Sequence, residues 1–107
     1  MKNFKNKVAA ITGAGSGIGQ QLAVLLAKQG CHLSLSDVNA QGLAQTVELL
    51  EKSNVRVTTQ KLDVADRDAM KLWAADTVQH HGSVNMIFNN AGVALGSTVE
   101  GASYEEL

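Results

Sequence analysis

Cysteine and proline are scarce in this sequence of 107 residues, which has one cysteine, Cys31, and no proline. A single cysteine excludes an internal disulfide and a metal site built from several thiolates, and it predicts a small buried side chain at this position. The three histidines do not compensate, because His80 and His81 are adjacent and His32 is distant in the sequence. We therefore expect no metal site.

An excess of positive charge is also missing, since nine lysine and arginine residues face ten aspartate and glutamate residues and the formal net charge is −1. Without a basic stripe, a nucleic-acid partner is not expected. The apolar run after the basic N-terminus covers only residues 8–11, which is too short for a signal peptide or a spanning helix. These features predict a cytoplasmic protein without a membrane partner.

The remaining pattern alternates between strand-like and helix-like segments. The strand-like segments are residues 8–11, 33–37, 55–62 and 84–88. Apolar residues recur at helical spacing between them, in the positions Ile18, Leu22, Leu25 and Leu26, then Leu43, Val47 and Leu50, then Met70, Trp73, Ala74 and Thr77. Gly30 and Gly82 are expected to end the first and third helices, and Asp66 to cap the third.

Strands that alternate with helices of this length predict right-handed crossovers and a parallel sheet covered on both faces. The expected fold class is α/β, a Rossmann-like doubly wound sheet of about four strands in the order 3-2-1-4 with flanking helices. Residues 1–107 are interpreted as one incomplete dinucleotide-binding domain. Its ligand crevice should lie at the carboxyl ends of the first and fourth strands, where the chain direction reverses.

The turn after the first strand, residues 12–19, reads TGAGSGIG. Its small residues allow the backbone to approach a pyrophosphate and to present N–H groups at a helix N-terminus. The spacing of Gly13, Gly17 and Gly19 is G-x-x-x-G-x-G, which differs from the common G-x-G-x-x-G pattern. A tight turn that needs positive φ and binds no ligand is an alternative explanation for such a cluster.

Asp37 ends the second strand about twenty residues past the glycines, where a carboxylate can accept hydrogen bonds from the adenosine ribose hydroxyls. The same carboxylate would repel an NADP 2′-phosphate, and neither lysine nor arginine occurs close to the turn or directly after Asp37. NAD is therefore favoured over NADP. Alternatively, Asp37 or Asn39 could simply cap the second helix.

The TGAGSGIG turn, together with residues 89–92 (NNAG) after the fourth strand, resembles the short-chain dehydrogenase/reductases of the NAD-preferring type. The resemblance extends from about Phe4 to the last residue. It implies that the pyrophosphate is surrounded by Gly13, Ser16, Gly17, Ile18 and Gly19. It further implies that Asp37 binds the ribose, Asp63 and Val64 hold adenine, and Asn90 and Gly92 flank the cofactor, with Asn89 or Asn90 also tying neighbouring strands together.

The resemblance also implies a parent enzyme that oxidises alcohols or reduces ketones with NAD(H), using a Tyr, a Lys four residues later and a Ser. Tyr104 has no such Lys within the sequence, and residues 103–106 instead match a capping box. No catalytic residue is therefore predicted in this chain, which we interpret as a truncated piece that is inactive alone. The alternative is a complete, non-catalytic nucleotide-binding or interaction module.

The fourth strand has consequences for assembly. Its apolar residues Met86, Ile87 and Phe88 would form an uncovered edge, whereas the third strand carries Arg56 and Lys61. Self-association through the strand-four edge is therefore expected.

Overall fold

The computed structural model describes residues 3–90, which form one parallel sheet with helices on both faces. The strands are β1 (Val8–Thr12), β2 (His32–Asp37), β3 (Val57–Lys61) and β4 (Met86–Asn89). The helices are α1 (Gly17–Lys28), α2 (Ala40–Leu49) and α3 (Arg67–His81), and a 3-10 turn covers Glu51–Ser53. The predicted alternation is confirmed, although β3 is shorter than the predicted residues 55–62.

The strand order is β3-β2-β1-β4, as predicted, and every neighbouring pair is parallel. The register places Thr12 beside Ser36 of β2 and beside Asn89 of β4, and it places Asp37 beside Lys61 of β3. All four strands therefore end at the same edge of the sheet. Polar groups that follow different strands in the sequence meet at this edge.

One face of the sheet carries the main core, beneath α1 and α2. Ile11, Leu33 and Leu35 have no solvent exposure, and they belong to the same cluster as Leu26 and Leu43 of the helices. Cys31 lies in this cluster, fully buried as predicted, and burial raises the pKa of its thiol to about 11. The thiol therefore stays protonated at neutral pH and acts as a small apolar side chain.

The structure corrects two details of the helix faces. On α2 the buried positions include Thr46 rather than Val47, which is only half-buried. On α3 the predicted Ala74 is exposed, and the buried positions are Trp73, Thr77 and His81. Trp73 and Thr77 are therefore buried as predicted. An apolar pattern missed the buried Thr46 because its hydroxyl is satisfied by hydrogen bonds, the shortest of them to the Ala14 carbonyl at 2.7 Å.

The helix ends follow the sequence signals. Asp66 accepts a hydrogen bond from the Ala69 N–H at 3.1 Å and so caps α3, and Gly82 ends α3 with a φ of 86°. At the start of α2 it is Asn39, and not Asp37, that caps the helix, accepting from the Gly42 N–H at 3.0 Å. The carboxylate of Asp37 is therefore not used as a cap.

The other face of the sheet, beneath α3, contains polar contacts inside a smaller core. The hydroxyls of Ser34 and Thr77 are 2.6 Å apart, and the Thr77 hydroxyl also donates to the Trp73 carbonyl at 2.7 Å. His81 is 7% exposed, and its Nε2 lies 2.9 Å from the Thr58 hydroxyl. These contacts attach α3 to β2 and β3.

This histidine makes stability depend on pH. Burial lowers the pKa of His81 below its ordinary value of 6.5, and Arg56, His32 and His80 lower it further by charge repulsion. The folded state therefore prefers the neutral ring. The stabilising contribution of His81 is fully present above the pKa that the histidine has in the unfolded chain, and it is lost as the pH falls through the lower pKa of the folded state. We expect the melting temperature to fall as the pH is lowered from 7 through the region below 6.5. Replacing His81 with glutamine should flatten that dependence, and an unchanged pH profile in this variant would contradict the assignment.

None of the helices within residues 3–90 combines the length and the apolar character that a membrane span requires. Within the same range, no group of three or more histidine, cysteine, aspartate or glutamate side chains is placed to hold a metal ion.

Candidate functional site

A crevice of about 610 Å³ opens at the carboxyl ends of the strands. Its lining comes from the turn after β1, from the ends of β2 and β3, and from the end of β4. The lining residues are Gly13, Ser16, Gly17, Ile18, Asp37, Val38, Leu62, Asp63, Val64 and Asn90. The sheet therefore brings together eight of the ten residues that the sequence assigned to a cofactor site.

Gly19, the ninth, lies behind the crevice wall rather than in it. A Cβ built on Gly19 would lie 2.1 Å from the Gly13 carbonyl oxygen and 2.9 Å from Nδ2 of Asn90. The start of α1 therefore packs directly on the backbone of the turn, and a side chain has no room there. The role of Gly19 in this structure is to permit this close approach.

The tenth, Gly92, lies outside the described residues. Tyr104 and the capping-box pattern at residues 103–106 also lie outside them.

The first turn of α1, whose leading backbone N–H groups have no partner within the helix, lies at the crevice wall. Ser16 precedes the helix in an extended conformation and its side chain makes no capping hydrogen bond. The first helical turn contains no acidic residue, so no carboxylate of its own competes for the positive end of the helix dipole. Ile18, which follows Gly17, is 72% exposed and presents an apolar surface beside these N–H groups.

Asp37 lies across the crevice and is held by two backbone donors. Its Oδ2 accepts from the Gly15 N–H at 2.8 Å, and its Oδ1 accepts from the Asn39 N–H at 3.0 Å. A carboxylate offers about four acceptor positions, so each oxygen keeps one for a further donor. The carboxylate is thus oriented by the protein and still able to bind hydroxyl groups.

The residues after β3 form the next part of the wall. The Leu62 N–H donates to the Asp37 carbonyl at 3.0 Å, which keeps the end of β3 beside the end of β2. Asp63 follows, and its Oδ1 accepts from the Ala65 N–H at 2.9 Å. The side chains of Leu62 and Val64 line the crevice together with Val38, which is 57% exposed. This part of the wall is mainly apolar.

Asn90 closes the crevice on the side of β4. Its Nδ2 donates to the Gly13 carbonyl at 3.3 Å, so it ties the end of β4 to the turn after β1. The strand-tying role that the resemblance implied for Asn89 or Asn90 is therefore performed by Asn90. The corresponding hydrogen bond lies across the point where the strand order reverses.

Sequence reasoning missed Val38 and Leu62 as lining residues. Both are neighbours of assigned residues, Asp37 and Asp63, and both come directly at a strand end, which is the signal that could have identified them. The register also places Lys61 beside Asp37 on the neighbouring strand, although it does not belong to the lining. The crevice walls formed by the described residues contain neither lysine nor arginine.

A family model described as short chain dehydrogenase matches residues 7–106 of this chain. Among curated proteins, SadH of Mycobacterium tuberculosis, which is named as an oxidoreductase, is 43% identical over 107 residues. That match covers 100% of this chain and 39% of SadH. Cyclohexanol dehydrogenase of Acinetobacter sp. is 39% identical over 90 residues, covering 84% of this chain and 36% of the relative.

Solved structures give the same picture of the fold. A short chain dehydrogenase/reductase from Burkholderia phymatum in complex with NAD superposes with a TM-score of 0.82 at 38% identity, covering 96% of this chain and 37% of that protein. An NAD⁺-bound xylitol dehydrogenase also gives a TM-score of 0.82, at 32% identity, and the match covers 86% of this chain and 35% of that protein. The chain thus spans less than two-fifths of the length of these relatives.

Proposed function

Because this chain belongs to the short chain dehydrogenase family, we propose that it is the NAD(H)-binding N-terminal part of an alcohol or ketone oxidoreductase. The observation that carries this proposal is the joint lining of one crevice by the glycine turn, Asp37 and residues 63–64. NAD is also the ligand named in the two solved structures described above.

The ribose of an adenosine would be held by Asp37. Each of its oxygens already accepts one backbone N–H and keeps a position for one ribose hydroxyl. A 2′-phosphate at that place would bring negative charge against the carboxylate, and the described lining offers no lysine or arginine to compensate. The arrangement therefore favours NAD(H) over NADP(H).

The pyrophosphate would lie at the start of α1. Gly17 and Ile18 are the first residues of the helix that line the crevice, and their N–H groups have no partner within the helix. The helix dipole adds positive potential at the same place. The exposed hydroxyl of Ser16 is available as a further donor, since it does not cap the helix.

The adenine ring would pack at the end of β3. Leu62 and Val64 supply apolar contact there, Val38 faces them, and Asp63 can accept from an amino group. Asn90 would flank the cofactor on the other side. We assign to the NAD(H) site the eight predicted residues that line the crevice, Gly13, Ser16, Gly17, Ile18, Asp37, Asp63, Val64 and Asn90. We add Gly19, which packs behind the crevice wall, and Gly92, for which the sequence resemblance is the support.

Bound NAD(H) would supply the hydride acceptor or donor for a small-molecule alcohol or ketone. The residues of this chain would bind and orient its adenosine and pyrophosphate groups. We assign no catalytic residue to the chain. We also retain from the sequence the proposals of a cytoplasmic location and of self-association through β4, an edge of the described sheet whose residues are half-buried.

Calorimetric titration of the chain with NADH and, separately, with NADPH tests this function. We expect saturable NADH binding at one site and binding of NADPH that is at least about tenfold weaker, since charge repulsion at Asp37 alone should be worth about 1.4 kcal/mol. A chain that binds neither nucleotide, or that prefers NADPH, would contradict the proposal.

A further inference from the structure

Thr46, on α2, contacts the glycine turn and is not one of the residues assigned to the NAD(H) site. Its side chain has no solvent exposure, and its hydroxyl donates to the Ala14 carbonyl at 2.7 Å. The N–H of the same peptide unit, that of Gly15, donates to Oδ2 of Asp37 at 2.8 Å. One peptide unit of the turn is therefore held at both its oxygen and its nitrogen by side chains from other elements.

The Thr46 hydroxyl also joins the two helices that flank the turn. It accepts a hydrogen bond from Nε2 of Gln20, on α1, at 3.0 Å. Its contact with the Gly42 carbonyl of its own helix is longer, at 3.1 Å, than the contact with Ala14. The shorter distance favours Ala14 as the main acceptor of the single hydroxyl proton.

The packing around this hydroxyl leaves the turn little freedom to adjust. A Cβ on Gly42 would lie 2.6 Å from the Gly15 carbonyl oxygen, and a Cβ on Gly15 would lie 2.9 Å from Oδ2 of Asp37. The N-terminal end of α2 therefore lies directly against the turn, with backbone facing backbone. A polar anchor one helical turn farther along α2, at Thr46, fixes how the two backbones meet.

The preceding peptide unit is fixed as well. The Ala14 N–H donates to the Ser36 carbonyl at 3.0 Å, and the Gly13 carbonyl accepts from Asn90. The N–H groups of Ala14 and Gly15 are thus used within the protein and cannot serve a ligand. A pyrophosphate must be bound by the N–H groups that follow, at the start of α1, and their direction depends on the peptide units before them.

We propose that Thr46 is a positioning residue of the nucleotide site, which holds the Ala14–Gly15 peptide unit so that the first N–H groups of α1 point into the crevice. The inference rests on the proposed NAD(H) function. Thr46 does not touch the cofactor, and it acts through the turn and through the Asp37 carboxylate bound to the same peptide.

Three variants of the chain test this role. Thr46→Val removes the hydroxyl at nearly constant shape, and Thr46→Ser keeps it. Thr77→Val is the matched control, because Thr77 is also a buried helical threonine whose hydroxyl donates to a carbonyl, that of Trp73 at 2.7 Å, but on the opposite face of the sheet. Each variant is measured for NADH affinity by calorimetry, well below its melting temperature, and for the exchange rate of the Gly15 amide by NMR without nucleotide.

For Thr46→Val we expect NADH binding to weaken about tenfold and the Gly15 amide to exchange about tenfold faster, the effect of about one lost hydrogen bond to a buried carbonyl. Thr46→Ser should restore both values to within about threefold. Thr77→Val should lower the melting temperature and leave NADH affinity and Gly15 exchange unchanged. This combination would support a positioning role, because general destabilisation would affect both threonine-to-valine variants alike.

Equal NADH affinity in Thr46→Val and the unmodified chain would overturn the inference. An equal loss of affinity in Thr77→Val would also overturn it. If the unmodified chain binds no NADH, the proposed function fails, and the exchange rates alone decide whether Thr46 fixes the Ala14–Gly15 peptide unit. Faster Gly15 exchange confined to Thr46→Val would then show that it does, whereas unchanged exchange would show that it does not.

Discussion

Replacing Gly19 with alanine is expected to lower the melting temperature by roughly 12 °C or more. The added Cβ would lie 2.1 Å from the Gly13 carbonyl oxygen and 2.8 Å from its carbon, so backbone would have to move. Crowding of this kind costs about 3 kcal/mol, and each kcal/mol lowers the melting temperature of a small domain by roughly 4–8 °C. Movement of Gly13 would also weaken its contact with Asn90, so NADH binding should be lost together with stability. Thermal unfolding followed by circular dichroism measures the first effect.

Gly82→Ala provides the matched control for Gly19→Ala. Gly82 has a φ of 86°, and outside Gly82 and its two chain neighbours no atom lies within 4 Å of the position that its Cβ would take. This variant should therefore lose only about 1 kcal/mol, the cost of a left-handed conformation for alanine, and it should keep its NADH affinity. Melting temperatures that agree within a few degrees for the two variants would contradict the close packing at Gly19.

Replacing Asp37 with alanine should weaken NADH binding by about a hundredfold or more. Two ribose hydroxyls would lose a charged acceptor, and hydrogen bonds to charged groups contribute about 1.5–3 kcal/mol each. The preference for NADH over NADPH should disappear at the same time, because the carboxylate that repels a 2′-phosphate is gone. Calorimetric titration of the variant with both nucleotides measures both effects.

Asp76→Ala is a control for the change in charge, since Asp76 is an exposed residue of α3 that does not line the crevice. It should bind NADH as tightly as the unmodified chain. Asp37→Asn separates the role of the carboxylate as a hydrogen-bond acceptor from its negative charge. The asparagine side chain can still accept from the Gly15 N–H, but it no longer repels a phosphate. If Asp37→Ala binds NADH with unchanged affinity, Asp37 does not bind the nucleotide, and its assignment to the site is wrong.

The sequence was sufficient to predict the alternation of elements and the strand order, because strand-like segments alternate with helical segments whose ends are recognisable, and this alternation is typical of a doubly wound sheet. Gly30, Asp66 and Gly82 marked ends through turn and cap chemistry that acts over a few residues. The faces of α2 and α3 were predicted less well. Thr77 was correctly placed on the buried face of α3, but Thr46 of α2 was missed. Its hydroxyl is satisfied by the carbonyl of Ala14, which is distant in the sequence, and periodicity contains no information about such a partner.

The candidate site shows the same division. Asp37 could be assigned from its distance to the glycines, but its two backbone donors, and the choice between ribose ligand and helix cap, depend on the packing of α2 against the turn. Val38 and Leu62 escaped notice because an apolar side chain at a strand end carries no chemical signal of its own. Lys61 was overlooked beside Asp37 because only the register of β2 and β3 makes them neighbours.

Amide chemical-shift mapping of the chain during titration with NADH shows which residues meet the nucleotide and so tests the NAD(H) site itself. We expect saturable shifts at Ser16, Gly17 and Ile18, at Val38 and at residues 63–64, with amides on the outer face of α3 unaffected. Saturable shifts confined to α3, or no shifts at millimolar NADH in a folded chain, would contradict this expectation.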